Sequence, residues 1–210
     1  MEEEGRGIRE EFYHEPHKLV SSERTRTEKF HTEGVRFYVI MSTIFALCGK
    51  IGSGKSYIAN EIDKHYKSII FSVDKMMLKL FGEIDGRELF IKKLNICKEI
   101  IYEISDTILE KTNGNIIFDF GFWTKADRKH LRERFNKYNV IFIYIKTDDN
   151  MCWERAEKRN KENDPNNYLF DKETFDYLAK LFEDFSEDEK FIIYENIDKL
   201  KIEIDKNWNK

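Results

Sequence analysis

The chain has 210 residues, a net charge of −4 and 36% charged residues, with acids and bases interspersed from end to end. That length suits one α/β domain with a substantial core. The charge pattern excludes a field that would draw nucleic acid or anionic membrane along its whole length, and no apolar stretch approaches the ~20 residues of a membrane span.

Residues 1–40 contain no Asn and more Arg than Lys, whereas the remainder is Asn-rich with Lys in excess. Apolar residues are sparse there, so a flexible N-terminal extension is expected, with Met41 a plausible start of the native domain, 41–210. Its acidic opening, Met1-Glu2-Glu3-Glu4, does not have the form of a signal peptide. The three cysteines (Cys48, Cys97, Cys152) lie far apart inside apolar patterns, without metal spacing, and read as buried thiols of a reducing cytoplasm.

The apolar run Ile44 to Cys48 predicts a buried strand, and Gly49-Lys50-Ile51-Gly52-Ser53-Gly54-Lys55-Ser56 follows it directly. This is G-x-x-x-x-G-K-[ST] between a strand and a helix, the setting a phosphate-binding loop requires. Gly49, Gly52 and Gly54 let the backbone curl so that its N–H groups, Ser53 included, point inward and form an anion hole with the dipole of the next helix. Lys55 supplies a positive charge for the β- and γ-phosphates, and the Ser56 hydroxyl is placed to ligate Mg2+. Nucleoside triphosphate binding, with ATP and Mg2+ as cofactors, is the expectation.

A helix is predicted from Tyr57 to Lys67, a strand from Ser68 to Val73 with Asp74 at its end, and a helix from Lys75 to Phe81. After a turn at Gly82–Gly86 comes an amphipathic helix from Arg87 to Lys111, ended by Asn113-Gly114. Asn115 to Asp119 is an apolar strand closed by a carboxylate. Thr124 is the expected N-cap of a helix to about Tyr138, through Thr124-Lys125-Ala126-Asp127. Val140 to Ile145 is strongly β, Asp148 to Asn163 helical, and Asn163 to Asn167 a loop. A helix over Asp171–Phe185 and a strand over Phe191–Tyr194 follow. In the tail from Ile197 to Lys210 the apolar alternation suits a strand, while length and charge favour a helix. Five short apolar strands alternating with helices imply a parallel sheet covered on both faces.

In such a sheet, ligands bind outside the carboxyl ends of the strands, where the loop, Asp74, Asp119 and the helix starting near Asp148 all fall. Asp74 is either a proton acceptor or a helix N-cap, and Asp119 either a metal ligand or a turn residue. Arg155 and Arg159, four apart, share a helix face. Arg128 either reaches an acceptor pocket or pairs with Asp127. Phe120, Phe122 and Trp123 form either an aromatic wall or part of the core. Asp119-Phe120-Gly121 is not read as a protein-kinase triplet, because no other motif of that class accompanies it.

The P-loop, an Asp ending the second strand, the run Ile116-Ile117-Phe118-Asp119-Phe120-Gly121-Phe122-Trp123-Thr124-Lys125-Ala126-Asp127-Arg128, and Trp153 to Arg159 together resemble the zeta-toxin-like P-loop kinases. That group includes chloramphenicol phosphotransferase and the kinase half of polynucleotide kinase, and the resemblance covers roughly residues 43–195. It implies a three-layer α/β P-loop kinase fold with a helical lid. It further implies Asp74 as the base for the acceptor hydroxyl, Asp119 on Mg2+, and Arg155 and Arg159 as lid arginines over the triphosphate. The implied reaction is transfer of the γ-phosphate to a small-molecule hydroxyl. Nucleosides, nucleotides and UDP-amino sugars remain alternative acceptors. A polynucleotide end is disfavoured for want of a basic groove, and a regulatory ATPase without an acceptor is the alternative of another class.

Overall fold

The computed structural model describes residues 42–162 and 167–207. The expected extension, residues 1–40, and most of the expected 163–167 loop lie outside the described residues. Five strands are present among them: β1 (Thr43–Cys48), β2 (Ser68–Ser72), β3 (Asn115–Gly121), β4 (Asn139–Tyr144) and β5 (Ile192–Ile193). They form one parallel sheet in the order β2-β3-β1-β4-β5. The helices are α1 (Lys55–Tyr66), α2 (Val73–Phe81), α3 (Arg87–Lys111), α4 (Lys125–Arg134), α5 (Asp149–Glu162), α6 (Lys172–Ala179) and α7 (Ile197–Asn207).

The central strand is apolar without alternation because both of its faces are covered. Ile44, Ala46 and Cys48 join a cluster with Val73 and Met77 of α2, Cys97, Ile101, Tyr102 and Leu109 of α3, and Leu131 of α4. Phe45 and Leu47 face the other way, onto Ile58, Ala59 and Ile62 of α1 and Leu200 and Ile204 of α7. Successive residues of a strand point to opposite faces, so one six-residue segment anchors both cores. A smaller cluster of Cys152, Ala156 and Phe175, with Ile51 and Trp153 packed on it, binds α5 and α6 to the P-loop.

Several boundaries differ from expectation. α2 begins at Val73, so Asp74 lies within its first turn while Ser72 holds the N-cap position. β3 runs on to Gly121, and α4 stops at Arg134, where the buried Phe135 caps it. α6 ends at Ala179, well short of Phe185. Residues 180–191 instead follow an irregular path fixed by aromatic and ionic contacts: Phe182 stacks on Tyr144 at 5.5 Å and Phe185 on Phe191 at 4.2 Å. α7 is a helix, with Leu200 and Ile204 inward and Ile202 on the solvent side. The capping box at Thr124 is formed as expected: Thr124 accepts from the Asp127 N–H and the Asp127 carboxylate accepts from the Thr124 N–H. No helix among the described residues is long and apolar enough to cross a membrane.

Candidate active site

The carboxyl edge of the sheet gathers four elements: the loop after β1, the start of α2, the end of β3 and the start of α5. Gly52 and Gly54 adopt left-handed backbone angles, φ 75° and 101°, that a side chain would strain. At Gly52 a Cβ would also lie 2.1 Å from the Cys152 carbonyl oxygen, so α5 abuts the loop too closely for any other residue. Gly49 donates its N–H to Gly121 at 3.2 Å, which ties the loop to β3. The Ser53 hydroxyl is buried and has no partner among the described residues, and Gly54 is the N-cap of α1 without a side chain to cap it. An orphaned hydroxyl and an uncapped helix start suit an anion held at this position.

Lys55 reaches back across the loop, its Nζ donating to the carbonyls of Gly49 at 3.0 Å and Lys50 at 2.8 Å. Burial lowers its pKa, and the nearby Asp119 and Asp74 carboxylates oppose that shift. Ser56 donates its hydroxyl to Asp119 Oδ2 at 2.6 Å. The register of β3 against β1 slips between Ala46 and Cys48, a bulge that falls where Asp119 leaves the ladder. Asp119 is 6% exposed, so one hard-oxygen pair is preorganised at the strand end. Among the described residues no group of three His, Cys, Asp or Glu side chains could hold a metal. A hydroxyl and a single carboxylate, completed by phosphate and water oxygens, match what Mg2+ accepts. A cavity of about 340 Å³ opens beside this pair, lined also by Phe71, Lys75, Met76 and Ile101.

Asp74 is exposed at the start of α2, where no side chain makes a cap bond. Its side chain reaches water from a concave, crowded edge. Desolvation by that crowding raises its carboxyl above the ordinary range, Asp119 raises it further, and Lys55 is the main opposing charge. A carboxyl so displaced is a better proton acceptor near neutral pH than an ordinary one.

The two arginines of α5 do different things. Arg155 is exposed and donates Nη1 to the carbonyls of Ser53 at 3.2 Å and Gly52 at 3.4 Å. Arg159 lies deeper. Burial lowers its pKa and the charge of Asp74 opposes this. Three loop contacts escape sequence reasoning: Lys50 pairs with Asp149 at 2.6 Å, Thr147 donates its hydroxyl to the Ser53 carbonyl at 3.1 Å, and Cys152 meets Gly52. None of these pairs has a diagnostic spacing, since each joins residues about a hundred positions apart.

Arg128 is a correction. It reaches neither the acceptor side nor Asp127. It is fully buried, paired through Nε and Nη2 with Glu189 at 2.8 and 2.9 Å, and it donates to the carbonyls of Phe122, Trp123, Glu183 and Asp184. Its guanidinium also lies 4.3 Å over the Phe185 ring. These partners engage every face of the group and leave nothing for a substrate. Of the aromatic triplet, Phe122 is core at 2% exposed and Phe120 packs on it from the rim, 5.0 Å from Phe118, while the half-buried Trp123 closes over Gly121.

A family model described as an AAA domain matches residues 44–184. The chain belongs to that family. Its members share a P-loop nucleotide-binding core, and the parallel sheet with the loop after its central strand is that core. No curated protein sequence matches the chain. Among solved structures it is similar to a candidate kinase from Chloroflexus aurantiacus j-10-fl, at TM-score 0.61 and 15% identity over 77% of this chain and 95% of that one. It is also similar to a sugar kinase from Janibacter sp. HTCC2649, at TM-score 0.53 and 16% identity over 80% and 94%. Kti12 of Chaetomium thermophilum, solved in complex with ADP-AlF3, aligns at TM-score 0.53 and 13% identity over 79% and 97%. At these identities the likeness is one of fold, that of the P-loop kinases.

Proposed function

We propose that the protein is an ATP- and Mg2+-dependent phosphotransferase that moves the γ-phosphate to a hydroxyl of a small molecule, in the manner of the zeta-toxin-like kinases. The observation that carries this reading is the separation of two carboxylates on one sheet edge. Asp119 is engaged by Ser56, and Asp74 is unengaged and raised in pKa. Phosphoryl transfer asks for positioning, charge neutralisation and one oriented proton acceptor. In the proposed step the acceptor oxygen bonds to the γ-phosphorus, its proton passes to Asp74, and ADP leaves with the bridging oxygen. Lys55 and Arg155 supply positive charge at the phosphates. Mg2+, when bound, neutralises charge on them, and Ser56 and Asp119 would hold it. The Janibacter sugar kinase and the ADP-AlF3 complex of Kti12 support a nucleotide and a small acceptor as ligands. A nucleoside or a UDP-amino sugar stays within this proposal, and the buried thiols suit a cytoplasmic setting.

Three expected results test it. Lys55→Ala should abolish ATP binding while leaving the fold intact, because Lys55 caps only carbonyls of its own loop. Calorimetry that finds unchanged affinity would remove the loop from the site. Asp119→Asn should weaken Mg-ATP affinity and metal dependence together, with part of the loss recovered at high Mg2+. Because Asp74 must be ionised to act and its pKa is raised, the rate should climb with pH through a limb lying above the ordinary carboxylate range. A profile flat from pH 4 upward would remove Asp74 as the base. ATP consumption that no alcohol stimulates would favour a regulatory ATPase.

A further inference from the structure

Two polar atoms are buried without a partner among the described residues: Nε of Arg159 and the hydroxyl of Tyr168. Asn160 brings their segments together. Its side chain donates to the Phe170 carbonyl at 2.6 Å and accepts from the Phe170 N–H at 3.3 Å, so the chain that follows α5 returns along the last turns of that helix. The Tyr168 ring then packs edge-on against Phe90 at the start of α3, with centroids 5.7 Å apart. Asp74 is within electrostatic reach of both groups. Tyr168 also packs on the core cluster that contains Val73 and Met77 of α2, the helix that carries Asp74.

This arrangement costs stability. A buried N–H or O–H that lacks an acceptor is destabilising, and polar groups in protein interiors are rarely left so. Arg159 differs in this from Arg155, whose guanidinium rests on P-loop carbonyls. It also differs from Arg128, whose charge is matched by Glu189. The charge that faces Arg159 is Asp74, the group assigned to take a proton. Once Asp74 is protonated, Arg159 has no counter-charge unless the ligand brings one. A guanidinium and a phenol together present several donors to one acceptor group, which suits an oxyanion and would leave a neutral polyol with an unneutralised cation.

We propose that Arg159 and Tyr168 form a subsite that binds an anionic oxygen group, a carboxylate or a phosphate, carried by the alcohol whose hydroxyl meets Asp74. The subsite rests on the phosphotransferase reading and narrows its substrate class from alcohols in general to hydroxy acids and phosphorylated alcohols. Arg159 thereby moves from the triphosphate to the acceptor, and Arg155 alone serves the nucleotide from α5.

The test separates the subsite from the reaction. The non-hydrolysable analogue AMPPNP with Mg2+ fills the triphosphate position, and acetate, inorganic phosphate, glycerate, glycerol 3-phosphate and glycerol are each titrated while the Arg159 Nε–H resonance is followed. The expected result is a saturable shift with the anions and none with glycerol, weakened several-fold in Tyr168→Phe. The carboxylate and phosphate arms show which anion fits better. Arg159→Gln should weaken the anions about 10- to 100-fold while AMPPNP affinity stays within about twofold. A resonance that moves on adding AMPPNP but not with any anion makes Arg159 a triphosphate clamp and overturns the proposal. A glycerol response equal to that of the anions does so too. Failure of the phosphotransferase reading shows elsewhere, as ATP consumption indifferent to every alcohol, and the Arg159 resonance still reports on the anion in that event.

Discussion

Replacing Arg128 with Ala should cost about 3–5 kcal/mol of stability, the largest effect expected of any single substitution on the polar side chains described here. The change strands Glu189, whose side chain is 4% exposed and whose carboxyl the Arg128 guanidinium holds at about 2. It also releases four backbone carbonyls that fix residues 122–123 and 183–184. Urea unfolding would show a much lower midpoint, since an ordinary domain holds only about 5–15 kcal/mol in all. The pH dependence has a definite sign. The folded pKa of Glu189 lies below its unfolded value of 4.5, so the pair contributes fully above pH 4.5 and its contribution disappears as pH falls from there toward 2. Arg128→Met with Glu189→Met should recover only part of the loss, because the carbonyls stay unsatisfied. Full recovery by the double variant would show that the ion pair alone matters. Activity should follow the folded fraction, since Arg128 touches no ligand position.

The second large effect is catalytic. Asp74→Asn keeps the shape of the side chain and removes its proton affinity, so nucleotide binding should survive while transfer falls by about 10²–10⁴-fold. The same change should leave the melting temperature equal or higher. A carboxyl whose folded pKa is raised is destabilised in its ionised form, a cost incurred as pH rises above the unfolded value of 3.8. Lower activity joined to undiminished stability is the signature of a group placed for chemistry. If Asp74→Asn transfers phosphate at the parent rate, the base lies elsewhere on the carboxyl edge. If it loses several degrees of stability, Asp74 is a structural residue of the α2 start.

Much of the architecture is legible in the sequence because it is written in local signals. The apolar runs at Ile44–Cys48 and Val140–Tyr144, the Thr124 capping box and the 25-residue α3 each depend on neighbours within a few positions. The P-loop is local in the same way, eight residues that carry their own reason. What the sequence hides is set by pairs distant along the chain. α6 looks extendable to Phe185 by periodicity, yet residues 183–189 are drawn out of the helical path to meet Arg128 across about 55 to 61 positions. Arg128 itself follows an inviting aromatic turn, and nothing at that spacing distinguishes a substrate ligand from a buried strut. Arg155 and Arg159 share a spacing and a helix face, but the return of the chain at Phe170, pinned by Asn160, gives them different surroundings. Both carboxylates close apolar runs in the sequence, but Asp74 falls in the first turn of α2 while Asp119 lies within β3, bonded to Ser56.

Lys55 and Arg155 hold four carbonyl oxygens of the P-loop between them. Phosphate binding at this loop is consequently an exchange. Lys55 gives two of its three N–H donors to carbonyls and Arg155 gives only Nη1, so a phosphate oxygen that takes one of those donors contributes only the difference between two acceptors of unequal charge. A doubly charged γ-phosphate wins that comparison by more than a singly charged bridging region does, because a carbonyl dipole is a fixed and modest competitor. On the phosphotransferase proposal, the loop would favour triphosphate over diphosphate before any contact to sugar or base is counted. On the same proposal, the carbonyls would take the cations back as the diphosphate departs.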